Sequence, residues 1–406
     1  MSRFIIKQNN VDFYFSLNEY GNRIKLGEGS NAVVFKGFLS HDTNLNVPVA
    51  IKSLRRRNVS QQTFNDMAEE ECEVLVFFNN LEGKTGHVFY PNNDCHPNIV
   101  KLYACLMTDI ESKRLVIELM HESLETYIDY TMPPLFGDFF LLNRAEQFVE
   151  TKKIMKAILN ALAFIHANGF IHCDIKADNI LITKTGDDRI DQIKLADMGA
   201  SIKQEKEHSE SAHMVTIMYR PPEVFLRYLG DEDPGRVTAA NDIELKPSID
   251  IYSLGVELFR ILYKIYKGHS QLPDSYATSY PIYHSDRSNI EFLTVMARVY
   301  GNPLRDTGPD RWILGCEVIE GLHNRYGNIM TFAFIQKAIQ NKQALKELVD
   351  RRLVDIPAPW KELVCSMLPY NPDKRITATR ALSLPVLDGN GHEVLLQKKG
   401  NMRNQF

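Results

Sequence analysis

His172-Cys173-Asp174-Ile175-Lys176-Ala177-Asp178-Asn179, continued by Ile180-Leu181-Ile182 and, after a polar turn, by Gln192-Ile193-Lys194-Leu195-Ala196-Asp197-Met198-Gly199, decides how the chain is read. The two apolar runs read as short buried strands, and each is bordered by a turn dense in carboxylate, amide and amine side chains. Asn179 lies five positions beyond Asp174, so one loop can present a carboxylate and a carboxamide together. Asn179 and Asp197 are oxygen donors of the kind a hard divalent cation prefers. The plainest account of either piece alone is an ordinary polar turn beside a strand. Both pieces in this order and at this separation are much harder to dismiss that way.

The pattern resembles the catalytic and metal-binding segment of protein kinases, His-Arg-Asp-x-Lys-x-x-Asn followed by Asp-Phe-Gly. Phosphoryl transfer from ATP needs little covalent help, so such a protein positions an acceptor hydroxyl and neutralises charge on the phosphates. The resemblance makes Asp174 the base that accepts the hydroxyl proton and sets Lys176 beside the transferring group. Asn179 and Asp197 become the Mg2+ ligands. It implies a two-lobed α+β protein kinase fold over 20–386, with a small β-rich N-lobe carrying one regulatory helix (20–119) and a larger, mainly helical C-lobe (120–386). An N-terminal arm over 1–19 would precede it and a polar tail over 387–406 would follow. Residues 1 to about 20 alternate weakly, as a strand or an arm would.

Upstream, Leu26-Gly27-Glu28-Gly29-Ser30-Asn31-Ala32-Val33-Val34 sets two glycines one residue apart among β-forming residues. A hairpin built this way brings backbone against phosphates without Cβ obstruction. The family's third glycine is Ala32 here. Val49-Ala50-Ile51-Lys52 then matches the strand whose lysine meets the nucleotide phosphates. Phe64, Met67, Ala68, Leu75 and Phe78 fall at helical spacing, which predicts a helix over Phe64 to Phe78 with these residues inward. A glutamate from this helix pairs with the strand lysine in an active kinase. Glu69, Glu70, Glu71 and Glu73 are all candidates, and the apolar neighbours of Glu71 fall where the family's do. Asn79 to Cys95 reads as an insertion loop. In Leu115-Val116-Ile117-Glu118-Leu119-Met120 the resemblance makes Ile117 the gatekeeper and gives the backbone of Glu118 and Met120 to adenine. Val34, Ala50 and Leu181 would sandwich the ring.

Downstream, Thr216-Ile217-Met218-Tyr219-Arg220-Pro221-Pro222-Glu223 matches the end of the activation segment, and Glu223 should pair with Arg375. Asp250, in a core helix from Ile249 to Tyr266, should accept backbone hydrogen bonds from the catalytic loop, since a buried carboxylate needs partners. Lys176 and Thr216 resemble the serine/threonine kinases, and Tyr219-Arg220 resembles the CMGC group. Within it the nearest resemblance is to the Mediator-associated cyclin-dependent kinase, through Ala196-Asp197-Met198-Gly199 and Ser279-Tyr280-Pro281-Ile282-Tyr283-His284. Protein substrates and a cyclin-like regulatory subunit are the implied partners, although the helix before Glu71 lacks the family's cyclin-facing pattern. Cys173 stands where an arginine usually clamps an activation-loop phosphate, and a cysteine offers no charged bidentate grip. Activity should therefore not depend on phosphate at Thr216. Glu205, Glu207 and Glu210 could meet Arg55-Arg56-Arg57 instead, or simply be solvated.

The 406-residue chain is 44% hydrophobic and 24% charged, the composition of an ordinary globular protein with a sizeable core. A net charge of −4 favours neither nucleic acid nor an anionic membrane. The six cysteines (Cys72, Cys95, Cys105, Cys173, Cys316, Cys365) contain no Cys-x-x-Cys pair, which argues against a zinc site or a disulfide framework and for a reducing compartment. The Mediator-kinase resemblance implies a nuclear location, with the cytoplasm as the alternative. Two rival readings share the motifs: a pseudokinase scaffold that binds nucleotide without turnover, and a small-molecule kinase. Retention of Lys52, Asp174, Asn179 and Asp197 argues against the first, and the Pro222-Glu223 platform against the second.

Overall fold

The computed structural model describes residues 5–8, 11–29, 31–41, 46–56, 59–81, 95–106, 113–130, 143–204, 215–231, 243–268 and 344–388. Ser30, Arg57, most of the insertion after Asn79, the glutamates of 205–214, the segment Ser279 to His284, Cys316 and the tail beyond 388 lie outside them. The chain divides into two compact units, one built from residues 1–123, 180–185 and 191–201, the other from the remainder.

The first unit is dominated by a seven-stranded sheet. Strands β1 (Ile5–Gln8), β2 (Val11–Phe15), β4 (Ala32–His41), β5 (Asn46–Leu54), β7 (Arg114–Glu118) and β6 (Leu102–Leu106) neighbour one another in that order, and β3 (Lys25–Glu28) also pairs with β4. Residues 5–15 thus supply two strands of this sheet. Alternation of Phe13 and Phe15 along β2, Val49 and Ile51 along β5, and Ala104 and Leu106 along β6 puts one apolar set on one face, where they form a single core with Leu39, Tyr103 and Val116. The Arg23 guanidinium lies 4.1 Å from the centre of the Phe15 ring, a cation–π contact.

Helix α1 (Gln61–Phe78) starts three residues before the expected Phe64, because the Ser60 side chain caps it, accepting from the Thr63 N–H at 3.0 Å. Phe64, Ala68, Cys72, Leu75 and Phe78 are buried along one stripe. Met67 departs from its expected inward position and is 46% exposed, since one turn of helix carries it off the stripe.

The cysteines also depart from expectation. Cys72 of α1 and Cys105 of β6 are joined in a disulfide. Their 33-residue separation gives no local spacing signal, and only packing of the helix on the sheet brings the two thiols together. Strand β8 (Glu122–Ser123) pairs with β10 (Ile180–Lys184), which is followed in the same small sheet by β11 (Ile190–Leu195).

In the second unit, α2 (Leu124–Tyr130) precedes α3 (Arg144–Ala167), whose first turn is closed by a capping box between Asn143 and Glu146. Strands β9 (Phe170–Ile171) and β12 (Ile202–Lys203) pair antiparallel. Helix α5 (Ser248–Gly268) is buried along nearly all its described length, which explains why its apolar residues follow no single stripe. Of α4 (Pro222–Asp231), α6 (Ala344–Arg352), α7 (Ala358–Met367) and α8 (Ala378–Leu382), α7 packs on α5, α6 on α7 and α8 on α3. Trp360 of α7 stacks on Phe148 of α3 at 6.0 Å. No described helix is long and apolar enough to cross a membrane.

Candidate active site

In the first unit the site is built on a buried lysine. Lys52 on β5 donates to Glu71 Oε1 at 2.5 Å and to Asp197 Oδ1 at 2.7 Å. Of the four candidate glutamates, Glu71 is the one that faces Lys52, and it is 5% exposed. Burial by itself lowers the lysine's proton affinity, but Glu71 and Asp197 outweigh it and hold the ammonium well above the ordinary range. Burial likewise pushes the Glu71 carboxyl up against the pull of Lys52. Asp197 adopts a left-handed backbone, φ 62°, and its side chain is 43% exposed. Gly199 follows in a 3-10 turn, and a Cβ there would lie 3.1 Å from Glu71 Oε2 and 3.4 Å from Asp197 Oδ1. The glycine is therefore a clearance for the Glu71 carboxylate.

The glycine-rich hairpin joins β3 to β4, with Gly27 opposite Val34 and Glu28 opposite Val33. Leu26 is exposed, Ala32 and Val33 are buried, and the Asn31 carbonyl accepts from the Arg55 N–H at 2.8 Å. Glu28 pairs with Lys25 and Arg55. A Cβ at Gly27 or Gly29 would meet nothing within 4 Å, and neither has a positive φ. Among the described residues nothing demands glycine at these two positions.

Ala50 on β5 stands opposite Ile117 on β7, and Leu181 on β10 opposite Ser123. Ala50, Ile117 and Met120 are buried, while Val34 and Leu181 are half-buried. The Glu118 N–H donates to the Lys101 carbonyl at 3.0 Å, and its side chain pairs with the buried Lys194 at 2.7 Å. Lys194 was not among the expected site residues. Alternation set by the buried Ile193 and Leu195 would turn Lys194 outward, and its charge argues the same way until Glu118 is seen.

In the second unit the catalytic loop forms a closed network. Lys176 Nζ donates to Asp174 Oδ2 at 2.6 Å and to Thr216 Oγ1 at 3.1 Å, and the Thr216 hydroxyl donates to Asp174 Oδ1 at 2.6 Å. Asn179 donates its amide to the Asp174 carbonyl at 2.8 Å and to Oδ2 at 2.9 Å. With the nitrogen so committed, the Asn179 oxygen is the atom suited to a cation. Below the loop, Asp250 accepts the N–H groups of His172 and Cys173, each at 2.8 Å, and contacts His166 Nε2 at 2.9 Å. His166 is a further site support that no motif marked.

Cys173 is buried, with φ 67°, and burial pushes its thiol well up, reinforced by Asp250 and Asp174. Arg375 grips Glu223 with two guanidinium nitrogens at 2.5 and 2.6 Å, both residues being buried. Of the arginines expected near the acidic run, Arg55 meets Glu28 and Arg56 meets Gln61 at 2.8 Å.

Comparison with known proteins gives a consistent result. The family description "Protein kinase domain" matches residues 20–387. Cyclin-dependent kinase 12 of Caenorhabditis elegans is 27% identical over 379 residues, covering 91% of this chain and 41% of that protein. The Drosophila melanogaster protein of the same name is 27% identical over 370 residues, covering 89% and 25%. Serine/threonine-protein kinase ppk23 of Schizosaccharomyces pombe is 25% identical over 374 residues, covering 91% and 72%. The chain thus spans less than half the length of the first two relatives.

Proposed function

The chain belongs to the protein kinase family, and from that premise we propose that it transfers the γ-phosphate of ATP to serine and threonine hydroxyls of protein substrates. The observation that carries this reading is the Asp174–Thr216 hydrogen bond. It sets a carboxylate oxygen within 2.6 Å of a threonine hydroxyl, beside a lysine ammonium, which is the local chemistry an acceptor hydroxyl requires.

The residues present fit ATP and Mg2+. Two glycines that none of the described residues demands leave room for close backbone approach. The doubly paired Lys52 stays cationic to meet phosphate oxygens, and Glu71 fixes its direction. Asp197 and Asn179 offer hard oxygen ligands for the metal, which would neutralise phosphate charge when bound. Leu26, Gly27, Glu28, Gly29, Ser30, Asn31, Ala32, Val33, Val34, Ala50, Ile117, Glu118, Met120 and Leu181 would enclose the nucleotide. Asp174 takes the hydroxyl proton, and Lys176 offsets charge at the transferring group. The kinase domain is assigned to 20–386.

A cyclin-like regulatory subunit and a nuclear or cytoplasmic setting are the finer reading. The names of two relatives support the first, and pull-down of the native protein tests the partner. The pseudokinase reading is not favoured, because each group expected to touch ATP or acceptor is retained. Transfer from labelled ATP to casein, compared with Asp174→Asn, tests turnover. The variant should lose about 10²–10⁴-fold in kcat while retaining nucleotide binding. Full activity in Asp174→Asn would remove that residue from the mechanism.

A further inference from the structure

The disulfide between Cys72 and Cys105 lies on the same rung of the sheet as the Lys52–Glu71 pair. Lys52 on β5 stands opposite Leu115 on β7, and Leu115 stands opposite Cys105 on β6. Cys105 is bonded to Cys72, and Cys72 directly follows Glu71 in α1. The path from Lys52 across two strand pairings to Cys105, through the sulfurs to α1 and back by Glu71 to Lys52 is a closed ring. Every link in it is a backbone pairing, a covalent bond or the 2.5 Å ion pair itself.

The rest of α1 is held differently. At its C-terminal end Asn79 donates to the Val100 carbonyl at 3.3 Å and accepts from the Leu102 N–H at 3.1 Å, so that end is fastened beside the start of β6. Glu71 lies eight residues away, about 12 Å along the axis at about 1.5 Å per residue. A tilt of about 5° around Asn79 would therefore carry Glu71 about 1 Å from Lys52, a displacement that can cost about 10²-fold in rate. The disulfide sits at the far end of that lever and forbids the tilt.

We infer that Cys72 and Cys105 form a reversible oxidation site whose closed state holds Glu71 on Lys52. The inference rests on the phosphate-positioning role proposed for those two residues. In the closing step the two thiols give up two protons and two electrons to a peroxide, which leaves as two molecules of water. A dithiol reductant returns them and leaves as its own cyclic disulfide. In a nucleus or cytoplasm, where small thiols keep cysteines reduced, the oxidised state is the engaged and more active one. Cys72 and Cys105 thereby act as positioning residues.

The test compares the purified full chain after mild hydrogen peroxide with the same protein after dithiothreitol, taken until thiol counting shows two additional free sulfhydryls. Phosphate transfer from labelled ATP to casein is followed in each. Reduction should lower kcat about tenfold and raise KM for ATP several-fold while leaving KM for casein unchanged, a split that mere loss of folded protein would not produce. Cys72→Ala/Cys105→Ala should match the reduced protein and ignore both reagents. In a Glu71→Gln background reduction should have no further effect, because both changes act through the same contact.

Equal kinetics before and after reduction, with the bond shown to close and open, would overturn the inference. So would a thiol count showing no bond after peroxide, or loss of the thermal unfolding transition in both reduced protein and double variant. If Glu71→Gln itself retained wild-type kcat, the role of the Lys52–Glu71 pair would fail instead, whatever the thiols did.

Discussion

Thr216 donates its hydroxyl to Asp174 at 2.6 Å, although 42 residues separate them in the chain. A phosphate on that hydroxyl would bring nearly two negative charges against a carboxylate. Cys173, at the position where the resemblance expects a balancing arginine, is buried and uncharged. Phosphatase treatment of the purified protein should therefore leave transfer to casein unchanged, and Thr216→Glu should reduce kcat by about 10²-fold or more. Abolition of activity by the phosphatase would show that some other charge holds this segment.

Gly199 is expected to be sensitive to a single methyl group. A Cβ there would press on Glu71 Oε2 at 3.1 Å and Cδ at 3.3 Å, and these buried atoms have little room to retreat. Gly199→Ala should cost about 1–3 kcal/mol of stability and lower kcat at least several-fold. Parallel urea titration and steady-state kinetics check it, and unchanged values of both would mean the carboxylate moves aside freely.

Breaking the Glu223–Arg375 grip should be costly in one direction only. Glu223→Ala removes the carboxylate and leaves a buried guanidinium on the carbonyls of Pro369, Ser248 and Tyr370 and the Tyr252 ring, a loss of about 3–5 kcal/mol. Glu223→Gln keeps an acceptor and should lose less. Denaturant midpoints of the two variants decide it; equal losses would mean that charge is irrelevant there.

The acid side of the stability profile should include a contribution from Glu146. The Asn143 N–H and then Arg189 hold its carboxyl below the ordinary value of 4.5. A depressed folded-state value means stabilisation fully present above about 4.5 and lost as pH falls through the folded value. Glu146→Gln retains the capping geometry, so its melting temperature should lie below wild type at pH 7, the gap closing in acid. A gap independent of pH would assign the effect to packing.

Local pattern made some of this legible and left the rest hidden. The residues of the 172–179 loop and of the Asp197 turn were legible because each motif is written in consecutive residues. The Asp250 contacts were expected because a carboxylate inside a core helix must find donors. Met67 was misplaced because one apolar residue adjacent to a stripe looks the same as one within it. Cys72 and Cys105 gave no signal at all. Their meeting depends on how α1 lies on β6, and no short-range spacing encodes that. Lys194 and His166 were missed for a related reason: each is defined by a partner far away in sequence.

Strand β4 spends one edge on two partners in tandem, β3 against Val33 to Phe35 and β2 against Gly37 to His41, while β5 runs the length of its other edge. A seam made in two lengths need not part as one. Peeling that begins at Glu28 runs out at Phe35, where a second fastening takes over, so the β3–β4 hairpin can lift and resettle with the rest of the sheet left in place.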